Sequence, residues 1–214
     1  MSRLSLTHAD WLKVCQAFNL TTKKVFDVLN HIGTAPMSFL DSMTPDKVEQ
    51  LIDLYNNGML LIGELNKSLS KKKIRKQNYP SEITENLVKF FIHKTTGVMG
   101  CWDTEKGDLD VGEKKVEVKG GFITMGPPTF GPRETWDEIY FVDCQDTLKK
   151  TFKIYAIELS NTSEEWKQLR VSRAQTYYDQ CLEGRRPRLT FDSIQEQLGD
   201  HCRLVFDGHF DELK

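Results

Sequence analysis

The chain has 214 residues, of which 28% are charged and 39% are hydrophobic. This composition is ordinary for a globular protein, and the length suits one large domain or one domain with a small companion. The 29 Lys and Arg residues against 31 Asp and Glu residues give a net charge of -2. Any nucleic-acid-binding surface must therefore come from clustered basic residues.

The five cysteines are odd in number and widely spaced, and no two of them form a Cys-x-x-Cys pair. This pattern argues against a zinc ribbon or a disulfide framework and favours free thiols in a reducing compartment. No apolar run reaches the length that spans a membrane, and the first residues lack the apolar core of a signal peptide. We therefore expect a cytoplasmic protein without a membrane partner.

The first 70 residues are predicted to be mainly helical. Apolar residues recur at helical spacing after Thr7, whose sequence Thr-His-Ala-Asp resembles a capping box. Thr44 and Pro45 supply an N-cap and a proline at the first position of another helix. The sequence Asn56-Asn57-Gly58 is expected to interrupt that helix, which resumes over residues 59–65.

Residues 71–76, Lys-Lys-Lys-Ile-Arg-Lys, form the strongest charge run. The run suits a solvated loop or contact with a phosphate backbone, where each neutralised phosphate releases counterions. Pro80 and Ser81 then begin a helix whose apolar residues can bury against a sheet. Glu82 and Glu85 lie near its start, where the helix dipole by itself also favours acidic residues.

Residues 107–121 are predicted to form a strand, a tight turn and a second strand. Asp108 opens the first strand, and Glu117 and Lys119 lie two apart on the second, so their side chains share one face. Two carboxylates and an ammonium can therefore converge at one end of the hairpin. The following Gly120-Gly121 pair allows a backbone or a ligand to approach closely.

This grouping suits a divalent metal ion beside a phosphate. Mg²⁺ takes oxygen ligands and usually retains several waters, so one or two carboxylates suffice to hold it, and the Val118 carbonyl is a further candidate ligand. Such an ion lowers the pKa of a bound water and neutralises charge on a phosphate, while a neighbouring lysine positions or deprotonates the attacking water. Alternatively, residues 116–119 form only a half-exposed edge strand, since apolar and polar residues alternate there.

Residues 122–136 form a long Gly- and Pro-rich loop directly after this strand, and long loops on rigid scaffolds often carry function. Residues 138–143 and 152–159 are predicted central strands, and residues 161–169 open a further helix.

Near the C-terminus, residues 184–188 read Gly-Arg-Arg-Pro-Arg, in which the proline favours a rigid, extended segment. Arginine binds guanine edges and phosphates through paired hydrogen bonds, although ordinary surface charge explains the same cluster.

Asp108, eight intervening residues and Glu117-Val118-Lys119 resemble the signature of PD-(D/E)XK nucleases, best known from type II restriction endonucleases. The resemblance covers a helix–strand–strand order, with Gly107 where the family pattern has a proline. It implies an α/β fold with a restriction-endonuclease-like core, in which helices flank a central mixed sheet, and an N-terminal helical region.

The resemblance also implies how the chain is divided. Residues 1–70 would form a helical scaffold, a dimerisation surface or a DNA-clamping arm. Residues 71–214 would form the nuclease core with a C-terminal DNA-contacting segment. The N-terminal helices, as a bundle, could alternatively read DNA in the manner of a helix-turn-helix.

In the site that the resemblance implies, Asp108, Glu117 and the Val118 carbonyl hold Mg²⁺, for which Mn²⁺ can substitute. Lys119 orients or activates the attacking water, and Glu85 assists. Asp110 remains an alternative to Asp108, and Glu82 an alternative to Glu85. The predicted DNA contacts are Lys71, Lys72, Lys73, Arg75, Lys76, Thr124, Thr129, Arg133, Glu134, Arg173, Gln175, Arg185, Arg186 and Arg188.

The implied function is that of a type II site-specific deoxyribonuclease, which hydrolyses both strands of double-stranded DNA and leaves 5′-phosphate ends. A chain of this size would act as a homodimer on a short palindrome, because two-fold sites match two-fold protein symmetry. The alternatives are a structure-specific repair or junction-resolving nuclease, a non-catalytic DNA-binding protein, and an unrelated enzyme with a chance hairpin. The long loop and the arginine cluster favour sequence reading.

Overall fold

The structure is a computed structural model that describes residues 43–69, 73–74, 78–102, 108–123 and 126–214. Within these ranges, two long helices precede the sheet, and three short helices follow its central strands. The helices are α1 (Pro45–Ser68), α2 (Ser81–Thr96), α3 (Glu164–Lys167), α4 (Tyr177–Leu182) and α5 (Phe191–Leu198). The strands are β1 (Cys101–Trp102), β2 (Leu109–Val111), β3 (Lys114–Gly121), β4 (Glu138–Asp143), β5 (Thr151–Ile157) and β6 (Cys202–His209).

The six strands lie side by side in chain order. β3 and β4 run parallel, and every other neighbouring pair is antiparallel, so the sheet is mixed. The parallel pair requires residues 122–137 to cross from the end of β3 back to the start of β4. Because a mixed sheet with helices on both sides is present, the predicted α/β architecture is confirmed.

Each face of the sheet carries its own hydrophobic core. On β4, Tyr140 and Val142 face α1 and α2, while Ile139 and Phe141 face the opposite core. That second core is rich in aromatic residues, and Trp136 and Trp166 meet edge to face at 5.4 Å between ring centroids. β4 is thus buried on both sides, as its continuous apolar sequence predicts.

Helix α2 packs directly against β3 and so brings its acidic residues to the hairpin. Ile83, Leu87 and Val88 are buried in the same core as Val116 and Val118. The helix ends at Gly97, whose left-handed conformation (φ 77°) lets its N–H bond the His93 carbonyl at 2.8 Å. The predicted helix starting near Ser81 is confirmed.

The expected interruption of the first long helix is wrong, because α1 continues through Asn56, Asn57 and Gly58. The side chain of Asn56 is buried and is engaged away from its own backbone. Its Nδ2 donates to the Thr147 carbonyl at 2.7 Å, and its Oδ1 accepts from the Thr147 hydroxyl at 3.1 Å. This contact removes the tendency of asparagine to compete with the helical backbone.

Other predictions about chain organisation have mixed outcomes. The helix expected over residues 161–169 is a single turn, α3, which Ser163 caps through its side chain. The helix predicted after Thr7 lies outside the described residues. Helix α1 packs into the same core as α2 and the sheet, and the division of the chain near residue 70 stays a prediction. Within the described ranges, no helix has both the length and the apolar character needed to cross a membrane.

Gly120 sets how closely α2 approaches β3, and it gives a test of this packing. A Cβ at Gly120 would lie 2.3 Å from the Thr84 side chain, whereas one at Gly58 in α1 would meet nothing within 4 Å. We expect Gly120→Ala to lower the free energy of unfolding by about 1–3 kcal/mol, because the helix must move. Gly58→Ala should instead raise it by about 0.5–1 kcal/mol. Urea denaturation of both variants measures this difference, and equal effects would contradict the close packing.

Candidate active site

The hairpin of β2 and β3 fixes Asp108 beside the Glu117-Val118-Lys119 motif. Asp108 directly precedes β2, and its N–H donates to the Val116 carbonyl at 3.1 Å. Its carboxylate Oδ2 accepts a hydrogen bond from the Val118 N–H at 2.7 Å. Asp108 is therefore held by β3, the strand that also carries Glu117 and Lys119.

The alternative aspartate, Asp110, lies nearer the turn of the hairpin. It is paired in register with Lys115, and their side chains form an ion pair at 2.5 Å. Asp108 contacts the middle of the motif and Asp110 does not share that contact. The geometry therefore favours Asp108, whose role as a ligand stays a prediction.

Glu117 and Lys119 form a largely buried ion pair on one face of β3. The Glu117 side chain is 3% exposed, and the Lys119 ammonium bonds its Oε1. The ring centroid of Phe130 lies 6.0 Å from the Lys119 Nζ. The pair is thus covered by the second hydrophobic core on the side away from α2.

Charges in this neighbourhood shift one another. Burial raises the pKa of Glu117. The charge of Lys119 opposes this rise, and the charges of Asp108 and Glu134 add to it, so that the net direction is upward. For Lys119, burial alone lowers the pKa, but Glu117, Glu134 and Asp108 outweigh it and the net direction is upward. Lys119 is therefore a cation at neutral pH in this state, surrounded by carboxyl groups.

Glu85 of α2 joins the same group of charges. It is 6% exposed. Burial raises its pKa to about 9, and the charges of Asp108, Glu82 and Glu117 contribute to the rise. Glu85 is therefore near enough to Asp108 and Glu117, the two candidate ligands, for their charges to affect its ionisation.

One buried residue of α2 itself was not anticipated from the sequence. Lys89 follows Glu85 by one helical turn and is 4% exposed. Its Cγ lies 3.9 Å from the position that a Cβ on Gly100 would take, at the β1–β2 side of the sheet. The spacing of four residues from Glu85 is the only sequence signal for it, and that spacing is common in ordinary helices.

The donor set is compatible with a hard divalent cation. Asp108, Glu117 and Glu85 offer carboxyl oxygens whose mutual repulsion a cation would relieve. Across the described ranges, no group of three or more His, Cys, Asp or Glu residues stands ready to hold a metal ion. Mg²⁺ needs only one or two protein carboxylates, so Asp108 and Glu117 fit it at that level.

The long loop and the arginine segment, predicted separately to contact DNA, are joined in the structure. Thr129 and Arg188 form an isolated antiparallel bridge. The Phe130 N–H also donates to the Pro187 carbonyl at 3.1 Å. Exposed residues on these connected segments include Thr129, Arg133, Arg186 and Arg188.

Three further predicted contact residues have partners within the protein. Arg185 Nε lies 3.0 Å from the Glu183 carboxylate, and Gln175 Nε2 donates to the same carboxylate at 3.0 Å. Lys73 Nζ donates to the Leu69 carbonyl at 2.6 Å, at the end of α1. Arg173 is exposed. The predicted contacts Lys71, Lys72, Arg75, Lys76 and Thr124 lie outside the described residues.

Glu134, predicted as a DNA contact, points toward Lys119. Its Oε2 accepts from the Gly131 N–H at 2.6 Å and lies 3.9 Å from the Lys119 Nζ. The sequence shows Glu134 only as a polar residue in a loop. Its proximity to Lys119 depends on how the 122–137 crossover folds back over β3.

Comparison with known families identifies the group to which this chain is related. The model of the family described as Bsp6I restriction endonuclease matches residues 43–198, well over half of the chain. The chain belongs to the Bsp6I restriction endonuclease family. The matched range includes α1, the whole hairpin, the crossover loop and all three short helices, and the fold agrees with a restriction-endonuclease-like core.

Membership in the Bsp6I restriction endonuclease family supports type II restriction endonuclease activity in general. Searches of curated proteins and of solved structures each returned no match. The roles of individual site residues therefore rest on the geometry described above.

The buried glutamate of α2 gives a stability test of the site. Because the folded-state pKa of Glu85 lies above its ordinary value of 4.5, the folded protein holds the proton more tightly. Stability conferred by that proton is present below about pH 4.5 and is lost as the pH rises towards about 9. We expect Glu85→Gln to be more stable than the unsubstituted protein at pH 8 by about 1 kcal/mol, or roughly 2–4 °C in Tm.

Thermal melts from pH 5 to pH 9 measure this effect. Glu64→Gln, on an exposed helix position with a 66% exposed side chain, is the matched control. A stability gain for Glu85→Gln that grows with pH supports a Glu85 carboxyl whose ionisation is disfavoured by burial and by the neighbouring carboxylates. A gain that is equal at both ends of the range, or equal to that of the control, contradicts the raised pKa of Glu85.

Proposed function

We propose that this protein is a sequence-specific, double-stranded DNA endonuclease with a PD-(D/E)XK active centre. It would act as a homodimer on a short palindrome and leave 5′-phosphate ends. The observation that carries the proposal is the hydrogen bond from the Val118 N–H to the Asp108 carboxylate, because it joins the two separated parts of the motif. Family membership supports restriction activity in general, and this contact supports the particular site.

Asp108 and Glu117 would hold Mg²⁺, or Mn²⁺ in its place. In a strand, the N–H and the C=O of one residue point to the same side. Since the Val118 N–H points to Asp108, the Val118 carbonyl is directed to that side and is available as a third oxygen ligand. Bound Mg²⁺ would supply charge neutralisation at the phosphate and would lower the pKa of a water molecule.

Lys119 would orient the attacking water and stabilise negative charge on the phosphate. Its ammonium has three N–H donors, and the hydrogen bond to the Glu117 carboxylate uses only one of them. Glu85 would assist from α2 as a hydrogen-bonding or charged partner of the waters near Asp108. The burial of these groups strengthens their electrostatic effect on the reacting phosphate.

The DNA would lie across the loop of residues 126–136 and the arginine segment of residues 184–188. The Thr129–Arg188 bridge makes these two segments one surface. Phe130 belongs to the same loop and lies beside Lys119, so this surface adjoins the active centre. Arg186 and Arg188 are exposed and suit contacts to phosphates or to guanine edges.

Digestion of unmethylated plasmid and bacteriophage DNA with Mg²⁺ tests the proposed function. We expect discrete fragments whose ends, read by run-off sequencing, share one short palindrome. A smear, or cutting confined to branched DNA, would instead indicate a structure-specific nuclease. DNA binding without any nicking would indicate a non-catalytic DNA-binding protein.

Substitutions in the motif test the site assignment. We expect Asp108→Ala and Lys119→Ala to reduce the rate of cleavage by at least about 100-fold, because each removes a group that acts on the reacting phosphate. Specific DNA binding, measured with Ca²⁺ to prevent cutting, should remain. Asp110→Asn is the matched control, since Asp110 pairs with Lys115, and it should cut at close to the unsubstituted rate. Loss of cleavage in Asp110→Asn with normal cleavage in Asp108→Ala would reverse the assignment.

The arginine segment gives a binding test. Arg186→Ala should weaken DNA binding and reduce the slope of log K against log [salt] by about 1, as expected for one lost phosphate contact. Arg203→Ala is the control. Arg203 lies on β6, which is separated from β3 by two strands, and it pairs with Glu158. Fluorescence anisotropy over a salt series measures both. Equal affinity and slope for Arg186→Ala and the unsubstituted protein would show that the segment does not bind phosphate.

A further inference from the structure

The Lys119 ammonium has a second carboxylate nearby besides Glu117. Glu134 lies on the crossover that covers this face of β3, and its Oε2 lies 3.9 Å from the Lys119 Nζ. In the proposed function, on which this inference rests, Glu117 also holds a metal ion. Its carboxylate is then shared, and Lys119 needs another anion to stay in place.

Glu134 is well suited to that role because its own carboxylate is fixed. Its Oε2 accepts from the Gly131 N–H at 2.6 Å, and its side chain is only 38% exposed. A Cβ at Gly131 would lie 2.4 Å from the Glu134 Oε1 and 2.6 Å from its Cδ. The carboxylate therefore occupies space that only a glycine at position 131 leaves open.

The backbone around Glu134 is also anchored. The buried side chain of Asn161 donates from Nδ2 to the Glu134 carbonyl at 2.7 Å. The next buried residue of the loop, Trp136, packs edge to face on Trp166. A carboxylate on a loop held at both sides can fix a flexible lysine, whereas a carboxylate on a free loop cannot.

We propose that Glu134 is a positioning residue, which holds the Lys119 ammonium in its working orientation while Glu117 is engaged with the metal ion. The loop that carries Glu134 also carries Phe130, whose N–H bonds Pro187 in the arginine segment. A direct DNA contact by Glu134, as the sequence suggests, is the competing interpretation.

Glu134→Gln separates the charge of Glu134 from its structural bond. The amide oxygen still accepts from the Gly131 N–H, so the loop keeps its shape, but the negative charge near Lys119 is lost. Under single-turnover conditions with saturating enzyme and Mg²⁺, we expect the cleavage rate constant to fall by about 10-fold or more. The dissociation constant for specific DNA with Ca²⁺ should stay within about two-fold of the unsubstituted value.

Two further variants define the result. Glu138→Gln removes a nearby carboxylate that pairs with Lys114 instead of Lys119, and it should cut at the unsubstituted rate. Gly131→Ala displaces the Glu134 carboxylate without changing its charge, and it should lower the rate constant with unchanged DNA affinity. The double variant Gly131→Ala/Glu134→Gln should lose less than the product of the two single losses, because both act through one contact.

The outcomes separate the possible roles. An unchanged rate in Glu134→Gln overturns the inference while leaving the proposed function intact. Weakened DNA binding at an unchanged rate constant also overturns it and assigns Glu134 to DNA contact. If the unsubstituted protein cuts no DNA, the proposed function fails and this inference fails with it. If Glu134→Gln does not fold, the same rate and affinity measurements on Gly131→Ala decide.

Discussion

The crowding of like charges at the hairpin is the constraint on which the rest of the structure depends. Burial raises the pKa of both Glu85 and Glu117, the charge of Asp108 adds to both rises, and Lys119 is the cation that bonds directly to Glu117. Burial makes this arrangement more costly, since a charge removed from water must be compensated. Such a cost is typical of sites built to bind a cation or to stabilise a reacting group.

β3 holds these charged groups in place because each of its two faces packs against another part of the protein. One face packs Val116 and Val118 against α2, which approaches closely enough at Gly120 to bring Glu85 to the hairpin. The other face carries Glu117 and Lys119 beneath the crossover loop. The parallel pairing with β4 creates that crossover, so the sheet topology itself brings the loop of residues 126–136 over the candidate site.

Local sequence patterns predicted the parts of this arrangement that depend on near neighbours. The hairpin follows from alternation over residues 114–121, and α2 from its apolar periodicity. Contacts between distant residues were not predictable. α1 continues because Asn56 bonds Thr147, 91 positions away. Glu134 turns inward because the crossover folds over β3, whereas its sequence context suggested a solvent-facing loop.

The most direct measurement of the central claim is the position of a bound metal ion. Crystals of the full chain grown with MnCl₂ would show the ion as a peak in an anomalous difference map. The account predicts a peak between the Asp108 and Glu117 carboxylates, next to the Val118 carbonyl. A well-occupied peak elsewhere, with none at this position, would contradict it.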